Sequence, residues 1–318
     1  MKIVFTDYKT MNPGDINWED YFELNEIVLH EHTNLEQLEK RVVDAEIIVA
    51  NKTVISSETM DKCKKLKCIC VSATGYNNID VKHASKKNIP VLNAANYSDT
   101  SVAQHVLAMV LSALNKVSYY SNTVHKGRWG SNRDFTYYDG PIEELSSMNV
   151  GFVGYGSLGQ AAAKLFKAFG SRILVKQYPH RELTIEEEGI SVVDDKTFFE
   201  QADIISIHTP LTDHTMDMVN AGFLNKMKSS AILVNTSRGG VVNEYDLAQA
   251  LRNQRIKAAC LDVLSAEPPS DNPLVGLNNC IITPHQAWAS KQARMRLMRI
   301  VSENIAAFKK GEFRNKVN

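Results

Sequence analysis

Short, continuous runs of Val, Ile and Leu recur along the chain with helical patterns between them, and this alternation restricts the fold more than any other feature. The first series is KIVFTD (2–7), EIVLHE (26–31), EIIVANK (46–52), LKCICVSATG (66–75) and IPVLNA (89–94). Strands that are apolar on both sides must be covered on both faces, as happens when parallel strands are joined by helical crossovers such as LEQLEKRVVDA. A second series follows: NVGFVG (149–154), RILVK (172–176), DIISIH (203–208), AILVN (231–235), AACLD (258–262) and NCIIT (279–283). Six strands at a spacing of roughly 25 residues are what a doubly wound dinucleotide-binding sheet needs.

Two long helical patterns flank the second series. One starts at Ser98, with Ser98 or Asp99 as its cap, and carries Val102, Val106, Val110, Leu114 and Val117; the other runs over 290–310 with Met295, Met298, Val301, Ile305 and Phe308. The expected class is α/β, with two doubly wound domains and a cleft between them. Residues 1–97 plus 290–318 form the substrate domain, flavodoxin-like in order, and 98–289 form the Rossmann domain. The polar and aromatic stretch 121–148 has no clean period and reads as an excursion that packs against something else.

Composition removes several functional classes. The 36 Lys and Arg equal the 36 Asp and Glu, so the chain has no basic excess for nucleic acid and no large net charge to keep it unfolded. MKIVFTDYKT runs straight into a strand and no apolar run approaches a membrane span, so no membrane partner is expected. Five cysteines, mostly within apolar runs, read as buried thiols of a cytoplasmic protein rather than a disulfide framework. No His/Cys/Asp cluster has metal spacing, and the Pro-containing loop between His208 and His214 argues against a metal pair.

The chemistry concentrates at the carboxyl ends of the second series, where ligands bind in such sheets. GYGSLG supplies Gly154, Gly156 and Gly159 between a strand and an amphipathic helix: a tight turn, a close approach for a pyrophosphate, and close helix packing. Gln177 stands where an acid would take the adenosine ribose of NAD, with Lys176, His180 and Arg181 around it. Loss of the acid removes repulsion against a 2′-phosphate, so NAD, NADP or both remain open, with a lean to NADP or dual use. Arg238, in NTSRGG, has the fork suited to a carboxylate and a polarised carbonyl. His285, supported by Glu267, suits a general acid and base.

Over essentially its whole length the chain resembles the D-isomer-specific 2-hydroxyacid dehydrogenases, and looks most like their glycerate dehydrogenase (hydroxypyruvate reductase) branch. The resemblance rests on ATGYNNID (73–80), NYSDTSVAQH (96–105), GRW (127–129), GYGSLG (154–159), HTPLTDHT (208–215), LVNTSRGGVVNE (233–244), LDVLSAEPP (261–269) and ITPHQAWAS (282–290). It implies Arg238, Glu267 and His285 as the catalytic group and Asp262 at the nicotinamide amide. It also implies a dinucleotide held along Gly154, Tyr155, Gly156, Ser157, Leu158, Gly159, Gln177, His208, Thr209, Pro210, Thr215, Thr236 and Ser237. The loop of Thr74 and Gly75 would hold the substrate carboxylate, with Asn51 and Lys52 lining the same cleft, and the excursion around Trp129 would build a homodimer.

The expected reaction is hydride transfer between NAD(P)H and a small 2-keto acid, with hydroxypyruvate and glyoxylate foremost. The alternatives are lactate-type or phosphoglycerate-type acids, or a dinucleotide-sensing protein of the corepressor kind that shares the fold.

Overall fold

In the computed structural model, which describes residues 1–24, 27–178 and 183–318, the first Val/Ile series becomes five parallel strands. These are β1 (Ile3–Phe5), β2 (Ile27–Leu29), β3 (Ile47–Ala50), β4 (Cys68–Val71) and β5 (Val91–Leu92). Their order is β2-β1-β3-β4-β5, the flavodoxin-like arrangement. β3 and β4 are buried at every position, as strands covered on both faces must be. Helices α1 (Leu35–Val42), α2 (Ser57–Lys62) and α3 (Val81–Lys86) connect them. Their starts are capped by Asn34, Ser56 and Asp80, whose side chains accept the backbone N–H groups of the first turn.

The chain divides into one unit of Met1–Ser98 with Trp288–Asn318 and another of Asp99–Ala287. The second unit begins with α4 (Asp99–Asn115) and α5 (Val117–His125). Its sheet holds β6 (Asn149–Val153), β7 (Arg172–Lys176), β8 (Ile190–Val193), β9 (Ile204–Ile207), β10 (Ile232–Asn235), β11 (Ala258–Leu261) and β12 (Cys280–Ile282). The order is β12-β11-β10-β9-β6-β7-β8, all parallel. Strand order therefore reverses between β6 and β9, where Val153 pairs with Ile207 and the two chains leave the sheet side by side. Such a reversal opens a crevice at the carboxyl ends. Helices α6 (Ser157–Ala168), α7 (Asp195–Gln201), α8 (Ala221–Leu224) and α9 (Glu244–Arg252) complete this unit, and α10 (Lys291–Lys309) returns to the first.

Three details differ from the sequence expectation. The sheet has a seventh strand, β8, because ISVV adds to the edge beyond β7, where half-exposed positions leave no continuous apolar run. Val117 is exposed and off the α4 stripe, since Lys116 takes a left-handed conformation (φ 51°) that ends one helix and starts the next. In α10 the buried stripe is Leu297, Met298, Val301 and Ile305, while Met295 faces out. The neighbouring buried position belongs to Arg294, whose guanidinium forks onto Asp15 at 2.7 Å.

Candidate active site

The contacts of the glycine loop show why two of its three glycines are needed and leave the third facing open space. At Gly154 the backbone is left-handed (φ 94°), and a Cβ there would lie 2.7 Å from the carbonyl oxygen of His208. A Cβ on Gly159 would lie 2.7 Å from the Gly154 carbonyl, so α6 approaches the loop only through glycine. A Cβ on Gly156 would meet nothing within 4 Å. That backbone edge, at the start of a twelve-residue helix with no side chain capping it, is open to an anion. Ser157 and Leu158 supply the first turn, and Tyr155 packs edge-on against Phe152. Beyond β9 and β10, neighbours in the sheet, the buried hydroxyls of Thr209 and Thr236 have no hydrogen-bond partner among the described residues. Buried hydroxyls are normally satisfied, so these two, with the cradle at Gly156, fit a polar ligand such as a dinucleotide.

Other expected cofactor residues are partly occupied by the protein itself. The His208 ring stacks on Phe152 and its Nε2 meets the Ser206 hydroxyl at 2.8 Å; burial pushes the imidazole down to about 4, so it is neutral. Its backbone, rather than its ring, faces Gly154. The Thr215 hydroxyl closes its own turn by donating to the Pro210 carbonyl at 2.6 Å and accepting the Thr212 N–H at 2.8 Å. Gln177 follows β7 directly and donates its amide to the Tyr178 carbonyl. The basic edge expected around it is not unopposed: Lys176 lies 2.8 Å from the Asp195 carboxylate and over the Tyr178 ring. His180 and Arg181 lie outside the described residues.

The three catalytic candidates sit on successive strand-end loops. Arg238 follows β10 in a turn bracketed by Asn235, whose side chain donates to the Arg238 carbonyl at 2.9 Å and accepts from the Ser237 N–H at 3.0 Å and its hydroxyl at 2.8 Å. Glu267 follows β11, and its Oε2 lies 2.7 Å from Nδ1 of His285. Its Oε1 accepts the Leu264 N–H at 3.1 Å. A Cβ on Gly239 would lie 1.9 Å from the Leu264 carbonyl carbon, so the Arg238 turn is pressed directly onto the loop that aims Glu267. Glu244, at the start of α9, holds the same loop by accepting the Ser265 N–H at 2.7 Å and the Asn272 amide at 2.9 Å.

His285 has a left-handed backbone (φ 51°), which costs a non-glycine residue about 1–2 kcal/mol. Its N–H donates to the Asp262 carbonyl at 2.8 Å and the Thr283 carbonyl at 2.9 Å, which holds that conformation. The Asp262 carboxylate, expected at the nicotinamide amide, is only 1% exposed and accepts from the Thr283 hydroxyl (2.6 Å) and the N–H groups of Gln286 (2.9 Å) and Ala287 (2.8 Å). Burial pushes its pKa up, but these donors with His105 outweigh it and hold it below the ordinary carboxylate value.

In the first unit, Asn51 and Lys52 follow β3, and Thr74 and Gly75 follow β4. Asp7, at the end of β1, accepts the backbone N–H groups of Asn51, Lys52 and Thr53 at 2.8, 2.6 and 2.8 Å. The Thr74 hydroxyl donates to the Ala94 carbonyl at 2.9 Å, and its own carbonyl accepts the Asn93 amide at 2.8 Å. Asp7, Asn235, Glu244 and Thr283 were not anticipated as parts of the site. Asp7, Asn235 and Thr283 stand at strand ends, which is the signal that could have found them; Glu244, at the start of α9, carries no such signal.

Residues 107–287 match the family described as D-isomer specific 2-hydroxyacid dehydrogenase, NAD binding domain. A hydroxypyruvate reductase of Blautia hydrogenotrophica is 40% identical over 100% of both chains. A glycerate dehydrogenase of Methylorubrum extorquens is 36% identical over 99% of this chain and 98% of its own. Among solved structures, an acyclic imino acid reductase (Bsp5) in complex with NADPH and D-Arg superposes with a TM-score of 0.84 at 29% identity, covering 100% of both. The chain belongs to the D-isomer-specific 2-hydroxyacid dehydrogenase family. Within it, the chain falls in the hydroxypyruvate reductase and glycerate dehydrogenase branch.

Proposed function

We propose that this dehydrogenase reduces hydroxypyruvate to D-glycerate, and glyoxylate to glycolate, with NADPH or NADH. The observation that carries the reading is the Nδ1 contact of His285 with Glu267 at 2.7 Å, on a loop coupled through Leu264 and Gly239 to the Arg238 turn. With Nδ1 held by a carboxylate, the proton exchanged with substrate is the one on Nε2, and the imidazolium is stabilised until that proton moves. Arg238 orients the 2-keto acid and draws electron density toward its carbonyl oxygen. His285 then delivers its proton to that oxygen, and takes it back in the reverse direction. The reduced nicotinamide, when bound, supplies the two electrons and the hydrogen for the carbonyl carbon. Asn51, Lys52, Thr74 and Gly75 are assigned to the substrate carboxylate, and Asp7 presets the first two through their backbone.

The dinucleotide is assigned to Gly154–Gly159, with Thr209 and Thr236 offering their buried hydroxyls. Gln177 in place of an acid supports acceptance of NADPH as well as NADH, and a relative in fold binds NADPH. Among the described residues no helix is long and apolar enough to cross a membrane. Five free thiols support a reducing, cytoplasmic setting.

A homodimer is supported by the segment after α5. There Trp129 (53%), Phe135 (88%) and Tyr138 (68%) are exposed on an arm stiffened by the Arg128–Asp139 pair. A second copy of the chain is the partner that would cover them.

Turnover on hydroxypyruvate, glyoxylate, pyruvate and phosphohydroxypyruvate with each cofactor tests the assignment. Highest kcat/KM on hydroxypyruvate or glyoxylate supports it, and preference for pyruvate or the phosphorylated acid refutes it.

A further inference from the structure

We propose that His105 and Ser101, one turn apart on α4, are positioning residues that clamp the two ends of the segment 283–287 and so aim His285. Residues four apart lie on one helix face, and both side chains reach this segment. The Ser101 hydroxyl donates to the Ala287 carbonyl at 2.7 Å. His105 Nε2 lies 2.9 Å from the Thr283 hydroxyl oxygen. That hydroxyl is 2.6 Å from Asp262 Oδ1, and a buried carboxylate there can only accept, so the Thr283 proton points to Asp262. The Thr283 oxygen therefore accepts, and His105 donates from Nε2.

The direction of this chain matters. A donor on Thr283 polarises its hydroxyl and strengthens the bond to Asp262. Asp262 in turn holds the N–H groups of Gln286 and Ala287 through its carboxylate, and that of His285 through its carbonyl. The N–H groups of His285, Gln286 and Ala287 thus all refer back to Asp262, and Asp262 refers back through Thr283 to α4. The Nδ1 contact of His285 with Glu267 spans 18 residues between two loops, so a small shift of segment 283–287 lengthens it. His105 is half-buried, and its Nε2 also lies 3.4 Å from Asp262 Oδ1, so the one side chain faces both members of the Thr283–Asp262 pair.

The proposal rests on the reading of His285 as the proton carrier, and two readouts separate the two claims. The first is steady-state reduction of hydroxypyruvate; the second is the downfield proton resonance of the His285 Nδ1–H, identified by its loss in His285→Asn. In His105→Leu, kcat falls about tenfold while KM for the dinucleotide stays within about twofold, and the resonance shifts or broadens. His105→Gln, whose amide can still donate to Thr283, restores both. Thr283→Val, which removes the relay hydroxyl, repeats the Leu result should that variant fold poorly. A wild-type kcat or an unmoved resonance in the folded Leu or Val variant, or a Gln variant no better than Leu, overturns the proposal. If the unmodified chain reduces no 2-keto acid, the reading of the reaction has failed, and the resonance alone still decides the positioning role.

Discussion

His285 Nδ1 lies 2.7 Å from Glu267 Oε2, and the other oxygen of that carboxylate is held by the Leu264 N–H at 3.1 Å. The carboxylate therefore has one oxygen for orientation and one for the imidazole. Glu267→Gln keeps the size and loses the charge that stabilises the imidazolium. It should lower kcat by about 10- to 100-fold with dinucleotide affinity retained. Steady-state kinetics with a fluorescence titration of NADPH checks this; an unchanged kcat would separate Glu267 from the proton transfer.

Gly239 and Gly240 should respond differently to the same added methyl group. A Cβ on Gly239 would strike the Leu264 backbone at 1.9 Å, whereas one on Gly240 would meet the movable side chain of Leu211 at 3.2 Å. Gly239→Ala should cost about 3 kcal/mol or more and lose activity with it, and Gly240→Ala about 1 kcal/mol or less. Urea unfolding of the two variants measures the contrast, and equal losses would contradict the packing described.

What could be read from the sequence was what local pattern encodes. The glycine spacing after NVGFVG already contained the turn, the anion cradle and the helix approach, because all three arise within six residues. The edge strand Ile190–Val193 could not be read, since its half-exposed residues become a strand only by pairing with β7. Val117 left its stripe through one residue, Lys116, whose left-handed backbone no periodicity announces. Asp262 was legible as a strand-end acid. Its bonds to Thr283, Gln286 and Ala287 arise from closure between β11 and the chain beyond β12, more than 20 residues away.

Stability should fall in mild acid through His208. Its folded pKa of about 4 lies below the ordinary histidine value, so between about pH 6.5 and pH 4 the unfolded chain binds the extra proton. Stability therefore rises with pH in that window and falls as pH drops through it; the loss is on the order of 2 kcal/mol between about pH 7 and pH 5, less where solvent reaches the ring. Replacing His208 with Asn should flatten this part of the unfolding free energy measured in urea. An equal slope in both proteins would place the sensitivity elsewhere.

Cofactor choice should respond to a single charge. Gln177→Asp restores a carboxylate at the end of β7, where it would accept ribose hydroxyls and repel a 2′-phosphate. The ratio of kcat/KM for NADPH over NADH should fall by about tenfold or more. An unchanged ratio would show that the adenosine ribose is read by other residues.

The most direct test of the account is His285→Asn assayed on hydroxypyruvate with saturating NADPH. If His285 delivers the proton, kcat falls by about a thousandfold while NADPH still binds with its original affinity. Turnover within a few-fold of the unmodified protein would contradict the account.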